Sequence, residues 1–282
     1  MEGYQKETWK ENVAVLLPVY VNDRPGWYRK ALQSILHQTY GHEHIHVYLG
    51  IDGPLKEGLE SEIRVEAGIL YKIVRNEEKL GLNAILNRLI ETLEDESFVF
   101  RMDADDIAFK DRFEAQVSFL KSHLDVEILG TALIEIDEEG HELFKRTFPK
   151  SNADVLHYIH KASPLAHPTV CFRRSALDAL GAYPVGKCRC EDLALWFDCI
   201  EKGFSICNLD NPLLYLRVTD SLYKRRRAAA VAELLIYWKG ILRTQGFSWR
   251  LVYPLLRFLF RLAPLSIVRR VYSGRLRLFL NR

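Results

Sequence analysis

Phe98-Val-Phe-Arg-Met-Asp-Ala-Asp-Asp106 passes from a short apolar run directly into three carboxylates. An apolar run of this length is typical of a strand buried on both faces of a parallel sheet. Only one small residue separates Asp103 from Asp105, so both carboxylates can reach the same region at the end of the strand. Oxygen ligands of this kind hold Mg²⁺ or Mn²⁺, which in turn bind a diphosphate. For the motif alone, a solvated acidic turn is the alternative.

Three more apolar runs precede this strand, at residues 13–19, 46–52 and 71–74. Apolar residues at helical spacing lie between them, around residues 31–36 and 83–90. The alternation predicts an α/β fold with a right-handed, mostly parallel central sheet that is flanked by helices.

Polar residues stand where these four strands end, at 18–23, 52, 75–76 and 103–106. Ligands of open α/β sheets bind beyond the carboxyl ends of the strands, so we expect the four ends to form one site. Asp52 then either bonds a nucleotide base or forms an Asx-turn before Gly53.

The second half of the chain carries two further candidates. Glu191-Asp192 opens an apolar helix, where a carboxylate can accept the proton of an attacking hydroxyl. Capping of the helix N-terminus by acid is the alternative, and both can hold together. His167 stands before Pro168; a packed, hydrogen-bonded histidine is favoured, and contact with a ligand is the alternative.

Charge is distributed unevenly along the 282 residues, although the net charge is only +2. Residues 234–282 carry ten positive charges and no acid, so the rest of the chain is acidic. Arg250, Arg257 and Arg261 share one face of a helix, which Pro254 and Pro264 are expected to break or kink.

We therefore divide the chain into a catalytic domain, 1–222, and a basic amphipathic tail, 223–282. The tail is predicted to lie on an anionic bilayer through residues 234–282. Helices packed on the body, with solvated arginines, are the alternative. Lys224-Arg-Arg-Arg227 is either an anion-binding cluster or a solvated charge run.

The composition argues against several classes of protein. No uncharged apolar run reaches about 20 residues, so no membrane span is predicted. The polar N-terminus has no signal-peptide core, and five cysteines without a disulfide framework indicate a cytoplasmic chain. The acidic body argues against nucleic-acid binding, and no G-x-G-x-x-G follows the first strand, which argues against a dehydrogenase.

Together the motifs resemble those of family 2 glycosyltransferases with the GT-A fold. The nearest resemblance is to bacterial enzymes of capsule, exopolysaccharide and O-antigen assembly, including amylovoran-type transferases. The matching segments span residues 12–220 and appear in this order: Leu17-Pro-Val-Tyr20, Ser34-Ile-Leu-His-Gln-Thr39, Ile51-Asp-Gly-Pro54, residues 76–87 with Gly81 and Asn83, Arg101-Met-Asp-Ala-Asp-Asp106, Ala166-His-Pro-Thr169 and Glu191-Asp192.

The resemblance implies a role for each matching residue. The implied donor-binding residues are Pro18, Tyr20, Asp52, Asn76, Gly81, Asn83, Arg101, Asp103 and Asp105. Asp103 and Asp105 would also hold the divalent metal, Mn²⁺ or Mg²⁺. Asp192 would be the general base, and the acceptor would meet Glu191, His167 and Trp196. Many relatives have a further metal-binding histidine where this chain offers Thr219 or Asp220.

The implied reaction is transfer of a sugar, with inversion, from a UDP-sugar to a hydroxyl of a lipid-linked sugar. It would take place at the cytoplasmic face of the bacterial inner membrane. The Gln-x-x-Arg-Trp motif of processive synthases is absent, which favours one sugar per encounter.

Two other functions stay open at this stage. The first is a nucleotidyltransferase on a related fold. Such enzymes usually have a glycine-rich basic loop after the first strand, whereas Tyr20-Val-Asn-Asp-Arg-Pro25 is not glycine-rich. A non-catalytic binding module at the membrane is the second.

Overall fold

A computed structural model describes residues 10–184, 190–219 and 227–263. The strands of these residues are β1 Val13–Tyr20, β2 Ile45–Asp52, β3 Lys72–Asn76, β4 Phe98–Arg101, β5 Ile107–Ala108, β6 Ile128–Ile136, β7 Glu142–Arg146, β8 Cys171–Arg173 and β9 Ile206–Arg217. The helices are α1 Pro25–Leu36, α2 Glu57–Glu66, α3 Leu82–Ile90, α4 Arg112–Ser122, α5 Asn152–Tyr158, α6 Arg174–Leu180, α7 Glu191–Glu201, α8 Ala230–Gln245 and α9 Val252–Leu262.

These strands form one sheet in the order β3-β2-β1-β4-β8-β6-β9-β5, with β7 beside β6. The first four are parallel, as predicted. β8 then runs antiparallel to both β4 and β6, and β6 is parallel to β9, so the sheet as a whole is mixed. A hairpin joins β6 to β7, where the Asp137 carboxylate accepts from three backbone amides.

The sheet lies between two apolar layers, and β1 contributes to both. Val13, Val15 and Leu17 pack on one side, whereas Ala14 and Leu16 pack on the other. All five are at most 1% exposed. A strand with helices on both faces has no polar side, which explains the continuous apolar run in the sequence.

Among the elements that the sequence did not predict are α4, α5 and β9, and each of these three has a reason. α4 buries charged Arg112 and polar Gln116, which interrupts its apolar stripe. α5 is short and buries only Val155. β9 has Asp210, Asn211 and Pro212 in its middle, where its register with β6 shifts.

The C-terminal helices pack on the body through α7. A Cβ at Gly240 of α8 would lie 2.3 Å from the Phe197 ring of α7, so only glycine permits this approach. Pro254 was predicted to break or kink the helix. It falls in the first turn of α9, where a proline is tolerated, so the helix continues through it. The helix ends at Leu262, ahead of Pro264.

The predicted arginine face of the tail is not free to meet an anionic surface. Arg257 and Arg261 of α9 both pair with Glu233 of α8, and Arg261 is buried. Arg257 and Arg261 therefore contribute to the packing of α9 on α8.

Several sequence predictions lie outside the described residues. They are the polar N-terminus, the boundary between 222 and 223, Lys224 to Arg226 of the basic cluster, Asp220, Cys188 and residues 264–282. Among the helices that are described, none combines the length and apolarity that crossing a bilayer requires.

Candidate active site

An acidic loop joins β4 to β5 at the edge of the sheet where β1 and β2 also end. Oxygens of Asp103, Asp105 and Asp106 lie within 4.8 Å of one another. Asp106 is buried; its Oδ1 accepts from the Arg217 amide at 2.9 Å, and its Oδ2 has no hydrogen-bond partner among the described residues. A buried carboxylate with an unsatisfied oxygen in such a cluster fits a divalent cation.

Electrostatics at this loop also favour a positive partner. Burial raises the pKa of Asp106 well above its ordinary value, and Asp105 and Asp103 add to the shift. Burial likewise raises the pKa of Asp23 to about 8, with further contributions from Asp105 and Asp103. Asp23 was not a named candidate, although it stands in the polar stretch that follows β1. Its proximity to the acidic loop makes it part of this site.

Arg101 supports the acidic loop from inside the protein. Its guanidinium is buried, and Nη2 lies 2.5 Å from Oδ1 of Asp103, whose side chain is 37% exposed. Nε and Nη1 of Arg101 are also buried and have no hydrogen-bond partner in the described part of the chain. The predicted donor-binding arginine is thus positioned behind Asp103.

Arg217, at the end of β9, fixes the backbone of the same loop. Its Nε donates to the Asp105 carbonyl at 3.0 Å, and its Nη1 donates to the carbonyls of Asp137 and Glu138 at 2.7 and 2.9 Å. The guanidinium also lies 4.8 Å from the Trp27 ring centre. No local pattern in the sequence indicated this role, because Arg217 and Asp105 are 112 residues apart.

Asp52 organises the loop after β3 instead of forming an Asx-turn. Its carboxylate accepts from Nδ2 of Asn76 at 3.0 Å and from the amides of Leu80 and Gly81, both at 2.9 Å. A Cβ at Gly53 would lie 2.8 Å from the Lys79 amide, so this glycine lets the loop approach β2. The loop brings the Lys79 ammonium to 4.5 Å from the ring centre of Tyr20.

Three other residues that were predicted to bind the donor, Pro18, Gly81 and Asn83, have structural roles. Pro18 lies buried in β1 opposite Gly50, and Gly81 precedes α3 with a φ of +102°. Buried Asn83 donates to the Pro184 carbonyl at 2.7 Å, while its Oδ1 has no partner among the described residues. Asn83 therefore connects α3 to the segment that leads toward α7.

His167 is a packed, hydrogen-bonded histidine, as the favoured interpretation predicted. Its Nε2 lies 3.1 Å from the Tyr183 hydroxyl, and burial and then Arg101 hold the pKa of this histidine well below its ordinary value. Trp196 is fully buried, with its ring centre 5.8 Å from that of His167. The prediction that Trp196 contacts an acceptor does not agree with this position, because its indole belongs to the core.

Asp192 is the second residue of α7, and its carboxylate accepts from the Leu193 amide at 2.8 Å. The N-cap position is Cys190, which makes no side-chain cap bond. Of Glu191 only the backbone is described. Trp196, His167, Arg101 and Asp103 form a chain of neighbours that links α7 to the acidic loop.

The sheet brings carboxylates together at the ends of its first strands, an arrangement that can hold a metal-bound phosphate group. The chain belongs to glycosyl transferase family 2, whose model matches residues 14–181, and it is a glycosyltransferase. The predictions of family and enzyme class are confirmed.

Two relatives resemble almost the whole chain. It is 33% identical to the amylovoran biosynthesis glycosyltransferase AmsE of Erwinia amylovora, over 92% of this chain and 97% of that one. It is 28% identical to an Escherichia coli enzyme named UDP-Gal:alpha-D-GlcNAc-diphosphoundecaprenol beta-1,3-galactosyltransferase, over 95% of this chain and 97% of that one.

Two solved structures share the fold. S. aureus TarS 1-349 in complex with UDP-GlcNAc has a TM-score of 0.62 at 19% identity, covering 89% of this chain and 72% of that one. The mannosyltransferase PcManGT from Pyrobaculum calidifontis, in complex with GDP-Man and Mn²⁺, has a TM-score of 0.60 at 17% identity, covering 95% and 77%. The GT-A fold prediction is thereby confirmed.

Proposed function

We propose that this glycosyltransferase moves a sugar from a UDP-sugar to a hydroxyl of a lipid-linked sugar, with inversion, in bacterial surface polysaccharide assembly. The observation that carries the proposal is the acidic loop, where Asp103, Asp105 and Asp106 bring their oxygens within 4.8 Å. The buried Oδ2 of Asp106, which has no hydrogen-bond partner in the described part of the chain, further favours a positive charge there.

Asp103 and Asp105 would hold a divalent cation, Mn²⁺ or Mg²⁺, with Asp106 and Asp23 adding negative charge around it. When bound, the cation neutralises the diphosphate that leaves the sugar. The likeness to a mannosyltransferase solved with GDP-Man and Mn²⁺ supports this assignment. Arg101 orients Asp103 by its ion pair, and Arg217 holds the backbone of Asp105 in place.

The nucleoside of the donor would lie at the ends of β1 and β2. Pro18 and Tyr20 would form one wall of this pocket, and Asp52 would contribute to the base end. Because Asp52 already accepts from three protein donors, its main contribution is to shape the loop of residues 77–81. Lys79, Asn76, Gly81 and Asn83 lie on or beside that loop. A UDP-GlcNAc complex of a protein with the same fold supports a UDP-sugar as donor.

Asp192 would act as the general base. The acceptor oxygen attacks the anomeric carbon, its proton passes to the Asp192 carboxylate, and the bond between that carbon and the diphosphate oxygen breaks. A single displacement of this kind inverts the anomeric carbon. Glu191 would meet the acceptor directly, whereas buried His167 and Trp196 would position α7 from within the core.

The same reasoning applies to the acceptor and to the cellular location of the enzyme. The E. coli relative uses UDP-Gal and a diphosphoundecaprenol-linked GlcNAc, which supports a lipid-linked acceptor for this chain. Such an acceptor places the enzyme at the cytoplasmic face of the inner membrane as a peripheral protein. The acid-free, basic residues 234–282 support an anionic membrane surface as a partner.

The proposal is tested with a panel of nucleotide-sugars, each with and without Mn²⁺ or Mg²⁺, by thermal stabilisation and by product analysis. We expect metal-dependent stabilisation by one donor and release of its nucleoside diphosphate. Asp105→Asn should abolish the metal dependence. Glu139→Gln, in the acidic cluster of the β6–β7 hairpin, is the matched control and should retain it. Pyrophosphate release would favour a nucleotidyltransferase, and binding without turnover a non-catalytic module.

A further inference from the structure

The helix α9 has two chemically different faces, and its apolar face points outward. Arg257 and Arg261 turn toward Glu233 of α8, with nitrogen–oxygen distances of 2.8 and 3.1 Å. The exposed remainder carries five large apolar side chains, each 42 to 57% exposed: Val252, Leu255, Leu256, Leu259 and Leu262. A continuous apolar surface of this kind marks an interaction site.

The turn between α8 and α9 extends this surface with aromatic side chains. Phe247 is 93% exposed and Trp249 is 67% exposed. The turn is held in place, because Trp238 Nε1 donates to the Leu251 carbonyl at 3.0 Å and the Trp249 ring packs on Tyr253. We call the five exposed α9 side chains together with Phe247 and Trp249 the docking face.

Charge decides which partner suits the docking face. Glu233 is the last acidic residue, and the chain after it carries ten positive charges. Three of these form ion pairs within the protein, since Arg243 pairs with Asp198 while Arg257 and Arg261 share Glu233. Exposed leucines and tryptophan next to an acid-free basic segment match the acyl region and anionic headgroups of a bilayer.

We infer that the docking face binds an anionic bilayer, with α9 lying in the interface and its leucines turned toward the acyl chains. The sequence predicted that the tail lies on an anionic bilayer, and the docking face specifies which side of α9 would meet it. The inference rests on the proposed function for its biological sense, because a lipid-linked acceptor is presented at a membrane.

The position of α8 connects the docking face to the proposed base. α8 packs on α7 at Gly240 and Phe197, and on α9 through Glu233. Asp192 lies close enough to Tyr237 of α8 to contribute to the raised pKa of that phenol. Packed helices are about 8–10 Å apart, so docking would hold the start of α7 within roughly 20 Å of the bilayer.

The test uses the full chain and vesicles of phosphatidylethanolamine and phosphatidylglycerol, without donor. Leu256→Glu combined with Leu259→Glu should lower co-sedimentation with these vesicles by at least about tenfold, because two leucine side chains would no longer be buried among the acyl chains. Val65→Glu is the matched control: this side chain is 82% exposed on α2, away from the C-terminal helices, and the variant should bind like the unchanged protein.

Three results would overturn the inference. Equal co-sedimentation of the double variant would show that the face does not meet lipid. Self-association without lipid, abolished in the double variant, would assign the face to a second copy of the chain. A lowered melting temperature of the double variant with unchanged co-sedimentation would assign the face to residues 264–282 of the same chain. Donor-dependent thermal stabilisation is measured separately, so a chain that binds vesicles but no nucleotide-sugar would refute the proposed function and leave the docking face standing.

Discussion

Nη2 of Arg101 lies 2.5 Å from Oδ1 of Asp103, and the pair joins a buried cation to a carboxylate that is 37% exposed. The arginine thus holds the carboxylate from beneath and leaves its outer side open to solvent. Because Nε and Nη1 of Arg101 have no partner among the described residues, this ion pair is the main contact that the guanidinium makes there. A residue placed in this way acts on the donor through Asp103.

Replacing Arg101 should therefore weaken metal binding. A lysine keeps the charge but loses the planar fork that meets a carboxylate. We expect Arg101→Lys to lower the affinity for Mn²⁺ in the presence of UDP by about 10- to 100-fold, as for other residues that orient metal ligands. Calorimetric titration measures this. Arg174→Lys, on α6 beside Asp178, is the control. Unchanged Mn²⁺ affinity in Arg101→Lys would exclude the positioning role.

Asp23 should make the metal-free protein less stable as the pH rises toward 8. Burial, then Asp105 and Asp103, raise its pKa from 3.8 to about 8. A carboxyl with a raised pKa in the folded state adds stability at low pH and loses it as the pH rises through the folded value. With chelator present, the melting temperature should fall as the pH rises from about 4 to about 8, between the ordinary and the raised pKa of Asp23, and level off above that.

Asp23→Asn tests this assignment directly. The decline should become shallower in the variant, and Mn²⁺ should bind more weakly to it. Asp178→Asn, an exposed carboxylate on α6, should behave like the unchanged protein. An Asp23→Asn variant with the original pH slope would refute the role of this carboxyl.

Glu233 should control the attachment of α9. Burial favours the neutral acid, but Arg257 and Arg261 outweigh it and lower the pKa of Glu233 to about 2. Its stabilising contribution is therefore present above the ordinary value of 4.5 and is lost as the pH falls toward 2. Breaking a buried ion pair of this kind costs about 3 kcal/mol or more.

Glu233→Gln should reproduce the effect of acid at neutral pH. We expect faster amide hydrogen exchange in residues 252–262, measured by mass spectrometry. Glu201→Gln removes an exposed partner of Arg243 and should leave this exchange unchanged. Equal protection of α9 in both variants would mean that the ion pairs do not hold this helix.

The stereochemistry of the product tests the single displacement. An α-linked nucleotide-sugar should give a β-linked product, because the acceptor attacks opposite the leaving diphosphate. Proton NMR of the isolated product reports the anomeric configuration. A product that retains the α configuration would require a different mechanism.

The first four strands could be predicted from the sequence because each of them carries a local pattern. The run at 46–52 became β2, Ile45–Asp52, and the run at 13–19 became β1, Val13–Tyr20. The strand predicted at 98–103 ends earlier, at Arg101, because the carboxylates that follow leave the sheet to form the loop.

Other features depend on contacts between distant parts of the chain. Arg217 meets Asp106 across 111 residues, and no local pattern announces such a pair. Arg257 and Arg261 share one face of α9, as their spacing predicts, but the direction of that face depends on Glu233, which lies on another helix. Trp196 looked like an acceptor contact beside Asp192, whereas helical geometry turns it into the core.

The assignment of Asp192 as the base is the central claim, and single-turnover transfer from a saturating donor to the acceptor tests it most directly. The comparison is between the unchanged protein, Asp192→Asn and Asp198→Asn, a control on the same helix whose carboxylate pairs with Arg243. The account predicts a transfer rate lower by about 10²- to 10⁴-fold in Asp192→Asn, with UDP binding unchanged and the control unaffected. Full transfer by Asp192→Asn would contradict it.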